Sequence, residues 1–360
     1  AVVTEDTAPE AVRGQPLWPG IFWTAVVAAV LVVVPWLSLR WVSEAGVQRI
    51  VLLAGCALPV ALAVRWATLY PGWCAWILVV ATIAGSWTEG LAMGASRVAT
   101  LRNFYGIYRI FDVGNVRYLQ HGTTQHGREY LSGPNAGVPL AYFHPSTPAA
   151  EILMSGLLPR QNIGMIGLGT GALVAYAGHG QAFTVFELDP DNVTLARRYF
   201  RYIDTAEAAG AVVRFETGDG RLSVCRLPAA SLDILILDAF NSGSIPVHLL
   251  TVEAIAEYAN ALKPSGLMLF HVSNRMLDLE PVVYSNARLL GFGACEKNNS
   301  GFVNPDAEET CWMAISRDQA TVDTLVRTMG WWTRAGEETS FPRPWTDNYS
   351  DVLSALLRKH

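Results

Sequence analysis

The residues that could do chemistry fall in one ordered stretch. Gly167, Gly169 and Gly171 interrupt an apolar run at 163–168, in the string NIGMIGLGTG. A second apolar run, 182–186, ends in Glu187, about 20 residues after the first glycine, which is the distance at which a βαβ nucleotide-binding unit places the acid that grips ribose hydroxyls. Glycines allow backbone to approach a ligand, and the acid reads a sugar. Further on, Asp219 and Gly220 sit in a GDG turn after the apolar-rich stretch 212–216, and Asp238 ends the apolar run 232–237. Glycines, Glu187, Asp219 and Asp238 thus all stand at the ends of candidate strands, where an open α/β sheet binds its ligands.

Those positions demand a particular scaffold. Mostly apolar runs of five or six residues alternate with helical patterns near 249–262 and 279–290, and further strand candidates lie at 267–272, around 292 and at 311–315. That alternation predicts a doubly wound α/β sheet with helices on both faces. Ahead of it, 103–111 and 115–121 alternate aromatic and polar residues around a Gly114 turn, which predicts a β-hairpin. The polar cluster HGTTQHG at 121–127 follows, carrying Gln125 and His126, and then Tyr142 and His144.

The N-terminal part reads differently. Residues 1–18 are rich in Thr, Glu, Pro and Ala without apolar periodicity and predict a linker, with no cleavable signal; the missing Met suggests that the chain continues upstream. Residues 21–39 contain no charge and match the length of a spanning helix, and shorter apolar runs lie between Arg49 and Arg65 and from 73 to 87. Three transmembrane helices within 19–96 are therefore expected. The arginines at 40, 49, 97, 102 and 109, against Arg13 and Arg65, predict an inner-membrane, multi-pass protein with its catalytic part in the cytoplasm and the lipid bilayer as a partner. A content of 51% hydrophobic residues and a mean hydropathy of +0.26 point the same way.

The formal net charge of −5 and pI near 5.8 exclude a typical nucleic-acid binder and suit a cationic substrate. The five cysteines form no CxxC pair and no His spacing that would build a metal site, so they read as reduced, buried small hydrophobes.

The succession GLGTG, FELDP, GDG and LDAFNSGSIPVHLLT, preceded by HGTTQHG and followed by HVSNR and WTDNYS, resembles the spermidine synthase (polyamine aminopropyltransferase) family, in particular bacterial members fused to membrane helices. The likeness covers about 100–355. It implies a class I methyltransferase-like Rossmann domain at 151–360 behind a small β region with substrate loops at 97–150. By the same resemblance Glu187 binds the ribose of the donor or of methylthioadenosine, Asp219 contacts the adenine amino group, Gln125 lies at the donor and Tyr142 near the acceptor amine. Gly167, Gly169, Thr170, Gly171 and Gly220 fall in the donor-binding motifs. No tightly bound cofactor is implied; the co-substrate is S-adenosylmethionine or its decarboxylated form. The partner is a small-molecule amine or other nucleophile, and a homodimer is allowed.

Two positions depart from the family pattern. Thr170 stands where the family has the Asp that holds the donor's ammonium. Asn241, or Gly243 if a longer loop is allowed, stands where the family has the carboxylate that deprotonates the amine. An amine of pKa about 10.4 needs a base before it can attack. Asp238, His126, His144 and Asp347 are the candidates, and His271, Asn274 and Arg275 are also placed for the crevice. A neutral Thr170 removes a charge filter, so intact S-adenosylmethionine is expected to bind within about tenfold of the decarboxylated donor. Methyl transfer, lysis of the donor, or a non-catalytic nucleotide sensor are the alternative readings.

Overall fold

The computed structural model describes residues 96–239, 246–274, 277–299, 304–334 and 342–358. The chain divides into two compact units, 1–96 and 97–360, and nearly all described residues belong to the second. It opens with a four-stranded sheet in the order β1 (Ser96–Asn103), β2 (Gly106–Val113), β3 (Val116–His121) and β4 (Thr124–Tyr130). The hairpin read between 103 and 121 forms with Val113 opposite Val116, and Gly114 takes a φ of 57° that favours glycine in the turn. The polar cluster at 121–127 is no simple connection: most of it is strand β4, paired antiparallel to β3 with a register shift beside Gln120. Ile110 and Leu119 point from this sheet into the core.

The main sheet has seven strands: β5 (Asn162–Ile166), β6 (Ala182–Glu187), β7 (Val212–Thr217), β8 (Leu232–Leu237), β9 (Leu262–His271), β10 (Gly293–Asn298) and β11 (Cys311–Ser316). Their spatial order is β10-β11-β9-β8-β5-β6-β7, with β5 to β9 parallel and the β10–β11 pair antiparallel at one edge. The chain leaves β5 towards β6 and β7, then returns to β8 on the other side. The carboxyl end of β5 is therefore the point at which strand order reverses and a crevice opens.

Strand β8 is buried along its whole length because helices cover both faces of the sheet. Ile234 and Ile236 pack into the core on one face, and Leu235 and Leu237 into the core on the other, as a period of two requires. Among the helices, Pro190–Tyr199 is capped by Asp189, Gly220–Cys225 by Asp219 and Val252–Ala261 by Thr251, each side chain accepting a first-turn N–H. After the glycine turn, where a helical start was read, the chain makes one short 3-10 helix, Ala172–Tyr176.

The membrane-spanning part of the expected fold, and the inner-membrane location drawn from it, are corrected. No helix among the described residues is long and apolar enough to cross a membrane. The longest of these helices, Gln319–Met329, has 11 residues. At 1.5 Å per residue that is about 16 Å, half the thickness of a hydrocarbon core. The apolar runs at 21–39, 49–65 and 73–87, on which the expectation rested, lie outside the described residues.

Candidate active site

The glycine turn is shaped by close backbone approach. Gly167 has a φ of 89°, and a Cβ there would lie 2.5 Å from the carbonyl oxygen of Asp238, so the turn seats directly on the end of β8. A Cβ on Gly220 would meet Ile166 at 2.4 Å, which brings the start of the helix Gly220–Cys225 against the end of β5. Between these elements lies a crevice of about 900 Å³ including its open mouth. Gly167, Gly169, Glu187, Asp219, Gly220 and Asp238 all line it, as the strand-end argument requires.

Glu187 is buried and held by the protein itself. Its Oε2 accepts from the Leu168 N–H at 3.0 Å and from Asn192 Nδ2 at 3.1 Å, and its Oε1 accepts from the Asp189 N–H at 3.0 Å. Burial pushes the carboxyl above its ordinary range, against those three donors, which favour the charged form. A carboxylate offers about four acceptor positions, so about one remains on Oε1 for a ligand hydroxyl.

Four carboxylates line the crevice, those of Glu187, Asp189, Asp219 and Asp238, while no Lys or Arg does so among the described residues. Two of the four are engaged by helix caps. Asp189 accepts from the Asp191 N–H at 2.9 Å and also from Asn103 at 2.7 Å, which ties the small sheet to the main one. Asp219 accepts from the Leu222 N–H at 2.9 Å and faces the His248 imidazole at 3.3 Å. Asp238 is different: its Oδ1 lies 2.7 Å from His271 Nδ1, and both side chains are 6% exposed.

The small sheet closes the other wall. His121 stacks on Tyr108 with ring centroids 4.1 Å apart and reaches the Tyr105 carbonyl at 3.0 Å. Tyr108 itself bonds Asp189; burial and that carboxylate drive its hydroxyl far above the ordinary tyrosine range, so it stays protonated. Tyr105 and Tyr108 are site residues that the sequence does not reveal as such; their alternation with polar residues is a signal of strand, not of ligand contact. His126 also lines the crevice. Its Nε2 is sealed from solvent with no hydrogen-bond partner among the described residues, and burial, helped by His121, lowers its pKa to about 4.

Several expected site residues lie elsewhere. Thr170 is fully buried, and its Oγ1 would sit 2.5 Å from a Cβ on Gly127, so its side chain packs under β4 rather than lining the crevice. A neutral side chain there does not by itself decide which donor the crevice accepts. Gly171 packs against Ile203, and Gln125 reaches towards Glu308 at 3.5 Å while its carbonyl accepts from the Tyr142 hydroxyl at 3.1 Å. Tyr142 stands behind the wall, 6.0 Å from the His271 ring. His144 bonds Ser146 at 2.8 Å away from the crevice. Asp347 is gripped by Arg221 at 2.7 and 2.9 Å and by Thr251 at 2.7 Å, and the guanidinium holds its carboxyl below the usual range. Asn241, Gly243 and Arg275 lie outside the described residues.

No family model matches the chain. Over 147 residues it is 31% identical to the polyamine aminopropyltransferase of Vibrio vulnificus (strain CMCP6), a match covering 38% of this chain and 48% of that protein. The chain thus matches about half the length of this curated relative. Among solved structures it is similar to a probable spermidine synthase from Corynebacterium glutamicum ATCC 13032, with a TM-score of 0.51 at 15% identity over 70% of this chain and 97% of the other. The spermidine synthase from Thermotoga maritima aligns with a TM-score of 0.43 at 12% identity, over 72% and 84%. A small antiparallel sheet set on a seven-stranded Rossmann-type sheet is therefore a spermidine synthase-like fold.

Proposed function

We propose that the protein is an aminopropyltransferase-type enzyme, moving the alkyl arm of decarboxylated S-adenosylmethionine to an amine and releasing methylthioadenosine. The observation that carries this reading is the crevice itself, four carboxylates and no lysine or arginine among the described lining, at the carboxyl end of β5. Such a lining favours a ligand pair in which both partners are cations, a sulfonium and an ammonium. It also opposes the carboxylate that intact S-adenosylmethionine carries: two unit charges about 4 Å apart interact by about 4 kcal/mol at an effective dielectric of 20.

The sulfonium is an intrinsic leaving group, so the protein's work is to align donor carbon and amine and to take a proton. Glu187 and the glycine turn hold the nucleoside end. Asp238 is the proton acceptor in this reading, because Asp189 and Asp219 already accept helix N–H groups and Glu187 already accepts three donors. His126, with its pKa near 4, is too weak a base.

The test is product analysis. Purified protein with decarboxylated S-adenosylmethionine and a panel of diamines is expected to form methylthioadenosine only when an amine is present. Formation of S-adenosylhomocysteine from intact S-adenosylmethionine would replace this reading with methyl transfer, and tight binding without turnover would make the protein a nucleotide sensor.

A further inference from the structure

Behind Asp238 runs a line of hydrogen bonds that the transfer reaction itself does not require. His271 ends strand β9 with its ring stacked on Trp312, centroids 4.5 Å apart and planes within 6°. Its Nδ1 meets Asp238 Oδ1 at 2.7 Å and its Nε2 meets Thr310 Oγ1 at 2.8 Å. Thr310 Oγ1 lies 3.0 Å from Ser273 Oγ, which accepts from the Cys311 N–H at 2.6 Å.

The direction of these bonds follows from what each group can do. An ionised carboxylate only accepts, so His271 Nδ1 carries the proton and donates to Asp238. In a neutral ring Nε2 is then an acceptor, so Thr310 donates to it. Thr310 in turn accepts from Ser273, whose oxygen accepts the backbone N–H. With Ser273 donating to Thr310 at 3.0 Å rather than to the Cys311 carbonyl at 3.4 Å, every donor in the line points towards Asp238, and each bond polarises the next. Oδ1 is thereby occupied, while Oδ2 has no hydrogen bond among the described residues and Asp238 lines the crevice.

We propose that His271, backed by the Thr310–Ser273 hydroxyl pair, is a positioning residue that locks Asp238 with Oδ2 turned to the amine as the proton acceptor of the transfer. The inference rests on the aminopropyl-transfer reading above. In the step it serves, an ammonium gives one proton to Asp238 Oδ2. The freed nitrogen lone pair attacks the donor methylene, the C–N bond forms, and the C–S bond breaks with its electron pair going to sulfur, leaving a neutral thioether. The new secondary ammonium keeps one positive charge, and Asp238 returns the other to water through the open mouth. An imidazole that pins one carboxylate oxygen from behind removes the rotation that would aim both oxygens elsewhere, which is the role outer-shell partners have for metal-bound histidines.

The experiment compares three variants in the methylthioadenosine-release assay. His271→Phe keeps a ring against Trp312 but has no N–H; its kcat is expected to fall by about ten- to a hundredfold, up to the lower end of what loss of a general base costs, with donor KM and methylthioadenosine affinity held within about twofold. His271→Asn places an amide N–H near the Nδ1 position and is expected to recover to within about fivefold of the unmodified enzyme. Thr310→Val removes the donor to Nε2 at nearly constant volume and is expected to lower kcat about fivefold. Full kcat in His271→Phe, or no recovery in His271→Asn relative to His271→Phe, overturns the inference while leaving the transfer reading standing. If His271→Phe does not fold, Thr310→Val decides: unchanged kcat overturns the proposal. An unmodified protein that forms no methylthioadenosine with any amine sinks the transfer reading, and this inference with it.

Discussion

Glu187 and Thr170 show how far a residue's type leaves its role open. Glu187 has three protein donors on a buried carboxylate, so it is both a wall of the crevice and a structural joint between the glycine turn and the helix Pro190–Tyr199. A charge-assisted bond to a ribose hydroxyl contributes about 1.5–3 kcal/mol, so Glu187→Gln is expected to weaken methylthioadenosine binding about tenfold or more. Calorimetry checks it, and a melting curve on the same sample separates lost binding from lost fold. Unchanged affinity would remove Glu187 from the ligand. Thr170 is argued the opposite way. With its side chain fully buried under Gly127, a carboxylate at 170 is enclosed without room or partner. Burying an uncompensated charge costs several kcal/mol, so Thr170→Asp is expected to lower the urea midpoint markedly rather than to retune donor choice. A variant of native stability with altered donor preference would show that the side chain reaches the crevice.

Between elements, the strongest polar joint is Arg221. It lies in the helix Gly220–Cys225, is 11% exposed, and forks onto Glu257 of the helix Val252–Ala261 and onto Asp347 of the C-terminal segment. Bidentate geometry on two carboxylates at once suits a guanidinium and not an ammonium. The segment it pins carries Trp345, whose ring is buried in the core and whose backbone N–H donates to Asn286 Oδ1 at 2.9 Å. Arg221→Ala is expected to cost about 1–3 kcal/mol in denaturant unfolding, and Arg221→Lys to recover less than half of it. Hydrogen exchange at 345–350 should rise in both, and protection equal to the unmodified protein would mean that Trp345 alone holds the segment. Asp347, which looked like a spare base when only its motif was known, is thus a latch.

At the scale of the whole molecule two half-buried histidines, His126 and His144, contribute to the response to acid. Burial depresses His126 to about 4 and lowers His144 as well, while an unfolded histidine titrates near 6.5. For His126, between those values the unfolded chain binds more protons than the folded one, so its contribution to stability is full above about pH 6.5 and is lost as pH falls towards 4. His126→Asn is expected to flatten that loss, read as a smaller drop in the urea midpoint between pH 6.5 and 4.5; parallel curves for variant and unmodified protein would clear His126 of the effect. The same contrast between local and assembled properties runs through the fold. Apolar runs of five or six residues, the glycine turn and the spacing to Glu187 are local properties, and they alone determined the parallel strands, their order along the chain and the strand-end positions of Glu187, Asp219 and Asp238. The apolar runs before residue 96 were equally legible as a pattern, yet they lie outside the described residues. Strand β4 was hidden because polar side chains occupy a strand whose backbone is satisfied by β3. What only the tertiary structure decided are the directions of side chains at close approaches between distant segments. Thr170 turns under Gly127, Asp347 meets Arg221 across 126 residues, and His271 meets Asp238 across 33. No periodicity encodes such pairs, because each forms where two separately built elements are pressed together by the core between them.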